Sequence, residues 1–261
     1  MPLESDTHKL TQFALTLADA AAQVILPSFR KNIAVDVKAG KDWDPVTEAD
    51  RAAERVIRDL IQKTYPNHSI IGEEYGNSMG NSAYTWILDP IDGTRSFVIG
   101  MPTWATLIGL YRDGKPLLGV MNQPYVGDMF YGGPEGSFLN HRGNTQQIRC
   151  RAALPLKSAA AGTTSPMPLH YQTQFETLRK SVQLMRYSGD AYFFTLLASG
   201  HLDLAVDAGL QIYDIAALIP IIKGAGGVVD TWDGKDASQG GNIIAASNQS
   251  LLEEAIALLQ S

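Results

Sequence analysis

Residues 86–95, with the sequence WILDPIDGTR, carry the side chains best suited to chemistry in this chain. An apolar run leads into Asp89, and a second carboxylate, Asp92, follows three residues later. Pro90 cannot donate a hydrogen bond to a strand ladder, so we expect the strand to stop there. Both carboxylates would then project from one strand end into the same space. Carboxylate oxygens are ligands that suit Mg²⁺.

Gly93 and Thr94, which follow directly, could bind an anion beside such a metal. Glycine permits a tight or left-handed backbone, and a threonine can begin a new turn. Backbone N–H groups left free at such a turn suit a phosphate oxygen. The segment therefore offers both halves of a metal–phosphate site, although Asp-Pro and Asp-Gly are also common turn dipeptides.

Three further acidic residues begin or follow predicted elements. Glu73 follows an apolar strand, Asp50 lies in the first turn of a predicted helix, and Asp214 opens another helix. Each of these positions also has an ordinary structural explanation. Acids in a first turn complement the helix dipole, and aspartate is a common N-cap. The residue types alone leave open whether these acids are ligands or caps.

Two helices and a set of strands must position the acids of the first part of the chain. Apolar residues at helical spacing predict one helix that ends near Pro27 and another that starts at Thr47, where Thr47 and Asp50 form a pattern like a capping box. The pair Asp113-Gly114, which lies between two apolar runs, predicts a hairpin. We expect a largely antiparallel meander up to about Cys150, with strands at 69–71, 85–88, 104–111 and 116–122.

The rest of the chain alternates short apolar runs with helical ones, which is typical of an α/β arrangement. We therefore predict an α+β half (1–150) that carries most candidate ligands and an α/β half (151–261) that carries Asp214 and the substrate side. Sites often lie in the cleft between two such halves. The predicted strands are 182–187, 202–206, 227–230 and 243–247, and the predicted helices are 172–180, 191–199, 214–223 and 250–259.

The net charge of −6 and the absence of a basic stripe argue against binding to a nucleic acid polymer. The single cysteine, Cys150, allows no intramolecular disulfide, and we expect a cytoplasmic protein. We find no apolar stretch that approaches the roughly 20 residues of a membrane span. The five histidines form no H-x-x-H or H-x-H pair, so no zinc site is predicted.

These motifs, in this order, resemble the inositol monophosphatase superfamily of Mg²⁺-dependent, lithium-sensitive phosphatases. Residues 89–94 are similar to its central D-P-(I/L)-D-G-T motif, and residues 72–74 to its G-E-E. Asp214 with residues 224–227 is similar to its D…G-A-G-G signature. The resemblance covers roughly residues 10–247. It implies a layered αβαβα sandwich and a homodimer.

The resemblance also implies roles for the matching positions. Asp50 and Thr94 would orient the attacking water, with Glu73 as a further catalytic carboxylate, and Gly93 and Thr94 would hold the phosphate. Two metals can activate an entering water and stabilise a leaving alkoxide, so no protein nucleophile is needed. The groups implied as ligands of two or three Mg²⁺ ions are the carboxylates of Glu73, Asp89, Asp92 and Asp214 and the carbonyl of Ile91.

Residues 92–97, 102–108, 186–190 and 213–220 are similar to the histidinol-phosphatase branch of the superfamily. Histidinol phosphate carries an ammonium group, so its site should offer acids beyond the metal ligands. Asp190 and Asp207 could meet that cation, and Arg95 and Arg186 would lie on the substrate side. Asp190 could instead be an N-cap, and Arg186 could form a structural ion pair.

The predicted function is hydrolysis of L-histidinol phosphate, a small-molecule phosphate monoester, within histidine biosynthesis. One alternative is an inositol monophosphatase or a broad-specificity sugar or nucleotide phosphatase on the same scaffold. The other is a metal-binding regulatory protein that has lost catalysis.

Overall fold

A computed structural model describes residues 2–32, 34–37, 45–152, 154–165 and 171–260. The α-helices in these ranges are α1 (Pro2–Ile25), α2 (Glu48–Thr64), α3 (Thr94–Val98), α4 (Gln172–Ser181), α5 (Ala191–Ala198), α6 (Ile212–Ile215), α7 (Leu218–Gly224) and α8 (Gln249–Leu259). The strands are β1 (Val35–Val37), β2 (Pro45–Thr47), β3 (Ser69–Gly72), β4 (Gly76–Ser78), β5 (Tyr84–Asp92), β6 (Ala105–Arg112), β7 (Lys115–Gln123), β8 (Asp128–Gly133), β9 (Gly136–His141), β10 (Asn144–Ile148), β11 (Ala160–Thr163), β12 (Leu184–Tyr187), β13 (Leu204–Leu210), β14 (Val228–Thr231) and β15 (Gly241–Ala246).

The elements stack in five layers, which confirms the predicted αβαβα sandwich. Helices α1 and α2 pack on the outer face of an eight-stranded sheet. Helices α5 and α7 lie between that sheet and a five-stranded one, and their apolar side chains form a core with both sheets. Helices α4 and α8 cover the outer face of the second sheet. Each sheet is therefore buried on two faces, which explains strands as apolar as β6.

The first sheet has the strand order β10-β9-β8-β7-β6-β5-β3-β4. Its predicted hairpin is confirmed, with β6 and β7 antiparallel around the Asp-Gly turn. The pairing of β3 with β5 is parallel, whereas the sequence indicated only a largely antiparallel meander. This parallel pair places the two strand ends that carry acids side by side.

Strand β5 does not stop at Pro90 as predicted. It continues to Asp92, and its register against β6 shifts between Asp89 and Asp92. A bulge accommodates a residue that cannot donate to the ladder, because the extra residues are left unpaired. The strand end therefore bends instead of ending, and both aspartates remain at one sheet edge.

The second sheet has the order β12-β11-β13-β15-β14 and mixes parallel and antiparallel pairs. The single helix predicted at 214–223 is wrong, because the chain forms α6 and α7 with a break at Ala216 and Ala217. Pro220 explains the break: its ring would clash with the carbonyl four residues earlier, while proline is tolerated in the first turn of α7.

Strands of the first sheet lie within residues 69–148 and strands of the second within 160–246. The division of the chain into two domains at residue 150 stays a prediction.

From the sequence we expected no apolar stretch that approaches the length of a membrane span, but the stretch that contains most of α1 is that long. Within the described residues, Asp6–Ser28 has the length and the mean hydropathy, 1.2, of a membrane span. A core helix passes the same test by composition alone. Here the stripe of Leu10, Ala14, Leu17 and Ala21 is buried against α2 and the first sheet, so α1 packs as a core helix.

Candidate functional site

The carboxylates of Asp89, Asp92 and Asp214 converge at the end of β5. Each offers an oxygen, and these oxygens all lie within 4.8 Å of one another. Asp89 and Asp92 come from the bulged end of one strand, while Asp214 comes from a helix more than a hundred residues later. Glu73 joins them because β3 runs parallel to β5, and its N–H donates to the Leu88 carbonyl.

Backbone hydrogen bonds hold two of these carboxylates in place. Asp214 lies in the first turn of α6, and its Oδ2 accepts from the Gln211 N–H at 2.6 Å. Asp92 Oδ2 accepts from the Ala191 N–H, the first of α5, at 2.8 Å. Donors at a helix start have no partner within the helix, so a carboxylate placed there is both oriented and stabilised.

Mutual repulsion within the cluster favours a bound cation. Asp89 is 2% exposed, and its Oδ1 has no hydrogen-bond partner among the described residues. Burial raises the pKa of Asp89 well above its ordinary value, and the charges of Glu73, Asp92 and Asp214 raise it further. A divalent ion would relieve this repulsion, and an all-oxygen donor set fits a hard cation such as Mg²⁺.

A cavity of about 180 Å³ opens above the carboxylates. It brings together most of the predicted site residues, which come from β3, β5, α3, α5 and α6. The lining residues are Glu73, Asp89, Ile91, Asp92, Gly93, Thr94, Arg95, Asp190 and Asp214.

Gly93 and Thr94 form the turn on one wall of the cavity. Gly93 has φ 76°, which confirms the predicted left-handed backbone, and Thr94 begins α3. The Thr94 hydroxyl donates to the Ile91 carbonyl at 3.0 Å. A carbonyl has two lone pairs, so a bond from Thr94 does not by itself prevent Ile91 from binding a further ligand.

Asp50 lies behind the cavity and is not among its lining residues. The predicted capping box is confirmed: Asp50 Oδ2 accepts from the Thr47 N–H at 2.8 Å and from the Thr47 hydroxyl at 2.5 Å. Its Oδ1 is buried with no hydrogen-bond partner in the described parts of the chain. Burial raises the pKa of Asp50 to about 6, and the nearby charge of Glu73 adds to this rise. One oxygen therefore completes the capping box of α2, while the other is left without a partner among the described residues.

Asp190 precedes α5 but does not cap it. Its Oδ2 accepts from the Ser96 hydroxyl at 2.7 Å and from the Thr103 hydroxyl at 3.2 Å, with the backbone at φ 45°. Burial raises the pKa of Asp190, whereas the two hydroxyls and the charge of Arg95 lower it. Asp190 and Arg95 thus bring opposite charges to one wall of the cavity.

Two predicted substrate residues lie outside the cavity lining. Asp207 is buried, and its carboxylate accepts from the Thr163 hydroxyl at 3.0 Å, the Thr164 N–H at 2.8 Å and the Thr164 hydroxyl at 2.9 Å. Its charge lies close enough to Asp190 for the two to repel. Arg186 is exposed on β12, an edge strand of the second sheet.

The sequence reasoning did not identify several groups that support the site. It missed the hydroxyls of Ser96 and Thr103, which hold Asp190, and the Ala191 N–H, which holds Asp92. No sequence pattern marks these groups, because their partners lie 87–99 residues away along the chain.

Glu54 was also missed, although the sequence carries a signal for it. Its fully buried carboxylate accepts from the Glu74 N–H at 2.8 Å and from the Tyr75 N–H at 3.1 Å, and it pairs with Arg58 at 2.7 Å. These bonds fix the turn that follows Glu73. A charged i,i+4 pair on the apolar face of α2, one turn after Asp50, was the available signal.

The profile of the inositol monophosphatase family matches residues 6–261. The "Bifunctional phosphatase IMPL2, chloroplastic" of Arabidopsis thaliana is 37% identical over 278 residues, covering 99% of this chain and 78% of that protein. The histidinol-phosphatase of Chlorobaculum parvum is 32% identical, with 95% of each chain covered. An inositol monophosphatase from Zymomonas mobilis superposes with a TM-score of 0.86 at 36% identity, over 97% of this chain and 98% of that one.

Proposed function

We propose that this chain, which belongs to the inositol monophosphatase family, hydrolyses L-histidinol phosphate to L-histidinol and phosphate. The family is one of metal-dependent phosphatases, so the chain is a phosphoric monoester hydrolase. The convergence of Asp89, Asp92 and Asp214 beneath a cavity that also exposes Gly93 and Thr94 carries the proposal. It supplies a cation site and an anion site in contact with each other.

Mg²⁺ is the metal that we propose for this site. The ligand groups would be the carboxylates of Glu73, Asp89, Asp92 and Asp214 and the carbonyl of Ile91, all of which line the cavity. When bound, two or three such ions would neutralise the phosphate, lower the pKa of a bound water and stabilise the leaving oxygen. The unpartnered Oδ1 of Asp89 and the repulsion that raises its pKa support this assignment.

The protein groups position the substrate and the water. Backbone N–H groups of Gly93 and Thr94 hold phosphoryl oxygens at the start of α3. The buried Oδ1 of Asp50 and the Thr94 hydroxyl, which donates to Ile91 and can still accept, orient the attacking water, with Glu73 beside them. Phosphoryl transfer depends mainly on such positioning and on charge neutralisation, so no covalent intermediate is required.

The preference for an amine-bearing ester rests on Asp190. Its carboxylate lines the cavity, where the ammonium of histidinol phosphate would otherwise lack a counter-ion, and inositol has no cation to meet it. Arg95 stands on the same wall and would contact the phosphate or orient Asp190. Asp207 would contribute indirectly, through Thr163 and Thr164. A substrate contact of Arg186 stays a prediction.

Phosphate release from L-histidinol phosphate and from inositol 1-phosphate, each with Mg²⁺ and with EDTA, tests the proposal. We expect kcat/KM to favour histidinol phosphate by about tenfold, since a hydrogen bond to a charged group contributes about 1.5–3 kcal/mol and a tenfold ratio corresponds to about 1.4 kcal/mol. Activity should be lost in EDTA. An Asp92→Asn variant supplies the blank for contaminating phosphatases. Equal rates on both esters would remove the substrate assignment, and no metal-dependent release from any monoester would remove the catalytic one.

Inositol phosphate is the second candidate, because the Zymomonas mobilis inositol monophosphatase matches over nearly the whole chain. The same assay distinguishes it, since a kcat/KM that favours inositol 1-phosphate would assign that substrate.

We also propose that the protein is cytoplasmic, because its single cysteine fits a reducing compartment. The family resemblance leads us to propose that it forms a homodimer. Light scattering on a size-exclusion column would measure a mass near twice the 28.3 kDa of the chain if the dimer forms.

A further inference from the structure

Three consecutive residues at the start of α5, Asp190, Ala191 and Tyr192, connect this helix to α3 and to the first sheet. Asp190 accepts from hydroxyls at α3 and the loop after it, and the Ala191 N–H donates to Asp92. The Tyr192 hydroxyl donates to Asp128 Oδ2 at the start of β8. Asp190 and Ala191 thus face the cavity side, and Tyr192 reaches the opposite side of the same helical turn.

The contact of Tyr192 with Asp128 is supported from both ends. The Tyr192 ring packs edge-on against Phe130, with centroids 6.0 Å apart, so the hydroxyl approaches β8 from a fixed direction. Asp128 Oδ1 lies 2.5 Å from Nδ1 of His141 on β9. The Asp128 carboxylate therefore has a partner on each oxygen. The contact between Tyr192 and Asp128 holds the start of α5 at a set distance from the first sheet.

We propose that Tyr192 and Asp128 are positioning residues for Asp92, and hence determine how tightly the site binds Mg²⁺. Ala191 and Tyr192 are neighbours in a rigid helical turn, so a shift of the Tyr192 hydroxyl moves the Ala191 N–H. That N–H holds the Asp92 carboxylate at 2.8 Å and sets its orientation. Groups hydrogen-bonded directly to a metal ligand, as the Ala191 N–H is here, typically change metal affinity by 10–100-fold when they are removed. Tyr192 and Asp128 act on that N–H through the helix, so the lower end of this range is expected for them.

A purely structural role would give a different result. The Tyr192 ring could fill its place in the core without a hydroxyl, and Phe would then be neutral or would change stability alone. The proposal requires that the hydroxyl affect the metal site, which lies beyond Ala191. It also rests on the proposed role of Asp92 as a metal ligand.

Mg²⁺ binding to the purified chain by isothermal titration calorimetry is the primary test, with the Mg²⁺ dependence of phosphate release as the second readout. We expect Tyr192→Phe, which removes the donor, and Asp128→Ala, which removes the acceptor, each to raise the Kd for Mg²⁺ about tenfold. The kcat at saturating Mg²⁺ should change by less than about threefold. The double variant should bind Mg²⁺ no more weakly than the weaker-binding single variant, because both changes break the same contact.

Tyr131→Phe is the matched control. Tyr131 lies in β8, the strand that Tyr192 contacts from α5. Its hydroxyl forms a hydrogen bond with Thr145, and its ring stacks on Phe138, away from the cavity. This variant should leave the Kd for Mg²⁺ unchanged. Thermal unfolding followed by circular dichroism verifies that every variant is folded.

Three outcomes would overturn the inference. If Tyr192→Phe binds Mg²⁺ as tightly as the wild type while unfolding at a lower temperature, the contact is only structural. If Tyr131→Phe weakens binding equally, the effect is not specific to α5. If the wild-type chain itself binds no Mg²⁺, both this inference and the proposed metal site fail, whereas the first two outcomes leave the proposed function intact.

Discussion

Two clusters of polar groups, one at each sheet, show how buried aspartates acquire different roles. Asp89 at the end of β5 and Asp207 in β13 are both almost fully buried. Asp207 accepts three hydrogen bonds from Thr163 and Thr164, so the protein supplies partners that offset part of the cost of burying its charge. Asp89 has other carboxylates around it and an oxygen without a partner among the described residues. The difference in partners, rather than burial, separates a site for a cation from a structural charge.

The largest effect is expected at the cluster of like charges. Asp92→Asn should lower kcat/KM for phosphate release by about a hundredfold or more, because it removes a negative charge and a carboxylate ligand from the proposed metal site. The fold should remain, since an amide still accepts the Ala191 N–H and removal of one charge relieves repulsion. Circular dichroism and phosphate release are the measurements. Loss of the fold in this variant would contradict the assigned role.

Asp207→Asn tests the other cluster through its pH dependence. Burial raises the pKa of Asp207 from 3.8 to about 6, and the bonds from Thr164 and Thr163 only partly offset this. The folded state thus holds the proton more tightly than the unfolded state, so this group stabilises the fold most below pH 3.8 and its contribution falls as the pH rises to about 6. The two pKa values differ by about two units, and one unit corresponds to 1.36 kcal/mol.

The unfolding free energy of Asp207→Asn relative to wild type should therefore rise by about 2.5 kcal/mol between pH 4 and pH 7. Urea unfolding at a series of pH values measures this difference. A difference that does not change with pH would show that the buried carboxylate is not destabilised by its charge. A hundredfold loss of activity in this variant would erase the contrast between the two clusters.

The smallest effect is expected where the two kinds of environment meet. Asp190 has hydroxyl partners, as Asp207 has, but lines the cavity, as Asp89 does. Asp190→Asn keeps an acceptor for Ser96 and Thr103 and removes the charge. We expect the kcat/KM ratio of histidinol phosphate to inositol 1-phosphate to fall about tenfold, which is about 1.4 kcal/mol. An unchanged ratio would assign Asp190 to the structural group.

Much of the fold could be predicted from local pattern. The two N-terminal helices, the capping box at Thr47 and the hairpin at the Asp-Gly turn follow from rules that act over a few residues, and they agree with the structure. The prediction was wrong at two prolines, once because strand pairing overrode a local rule and once because the local proline rule was not applied. Pro90 was expected to end β5, but a bulge accommodates it, and Pro220 breaks a helix that periodicity alone continued.

The candidate site divides in the same way. Its acids stood out at strand and helix ends, but each also had an ordinary structural explanation, and the resemblance to the family motifs assigned them as ligands. Their assembly could not be derived from spacing alone, since Glu73 meets Asp89 through a parallel pairing that no short-range signal indicates. The supporting hydroxyls of Ser96 and Thr103 are ordinary residues until the fold brings Asp190 to them.

The sequence by itself determined the chemistry available to this protein: hard oxygen donors, a glycine that can adopt a left-handed turn, and no soft metal ligands in a pattern. These properties belong to side chains and survive any fold. Only the tertiary structure decided which carboxylates face one another and which are satisfied by hydrogen bonds. Both outcomes depend on distances of a few ångströms between segments far apart in the chain, because hydrogen bonds form only at that range and repulsion between carboxylates is strongest there.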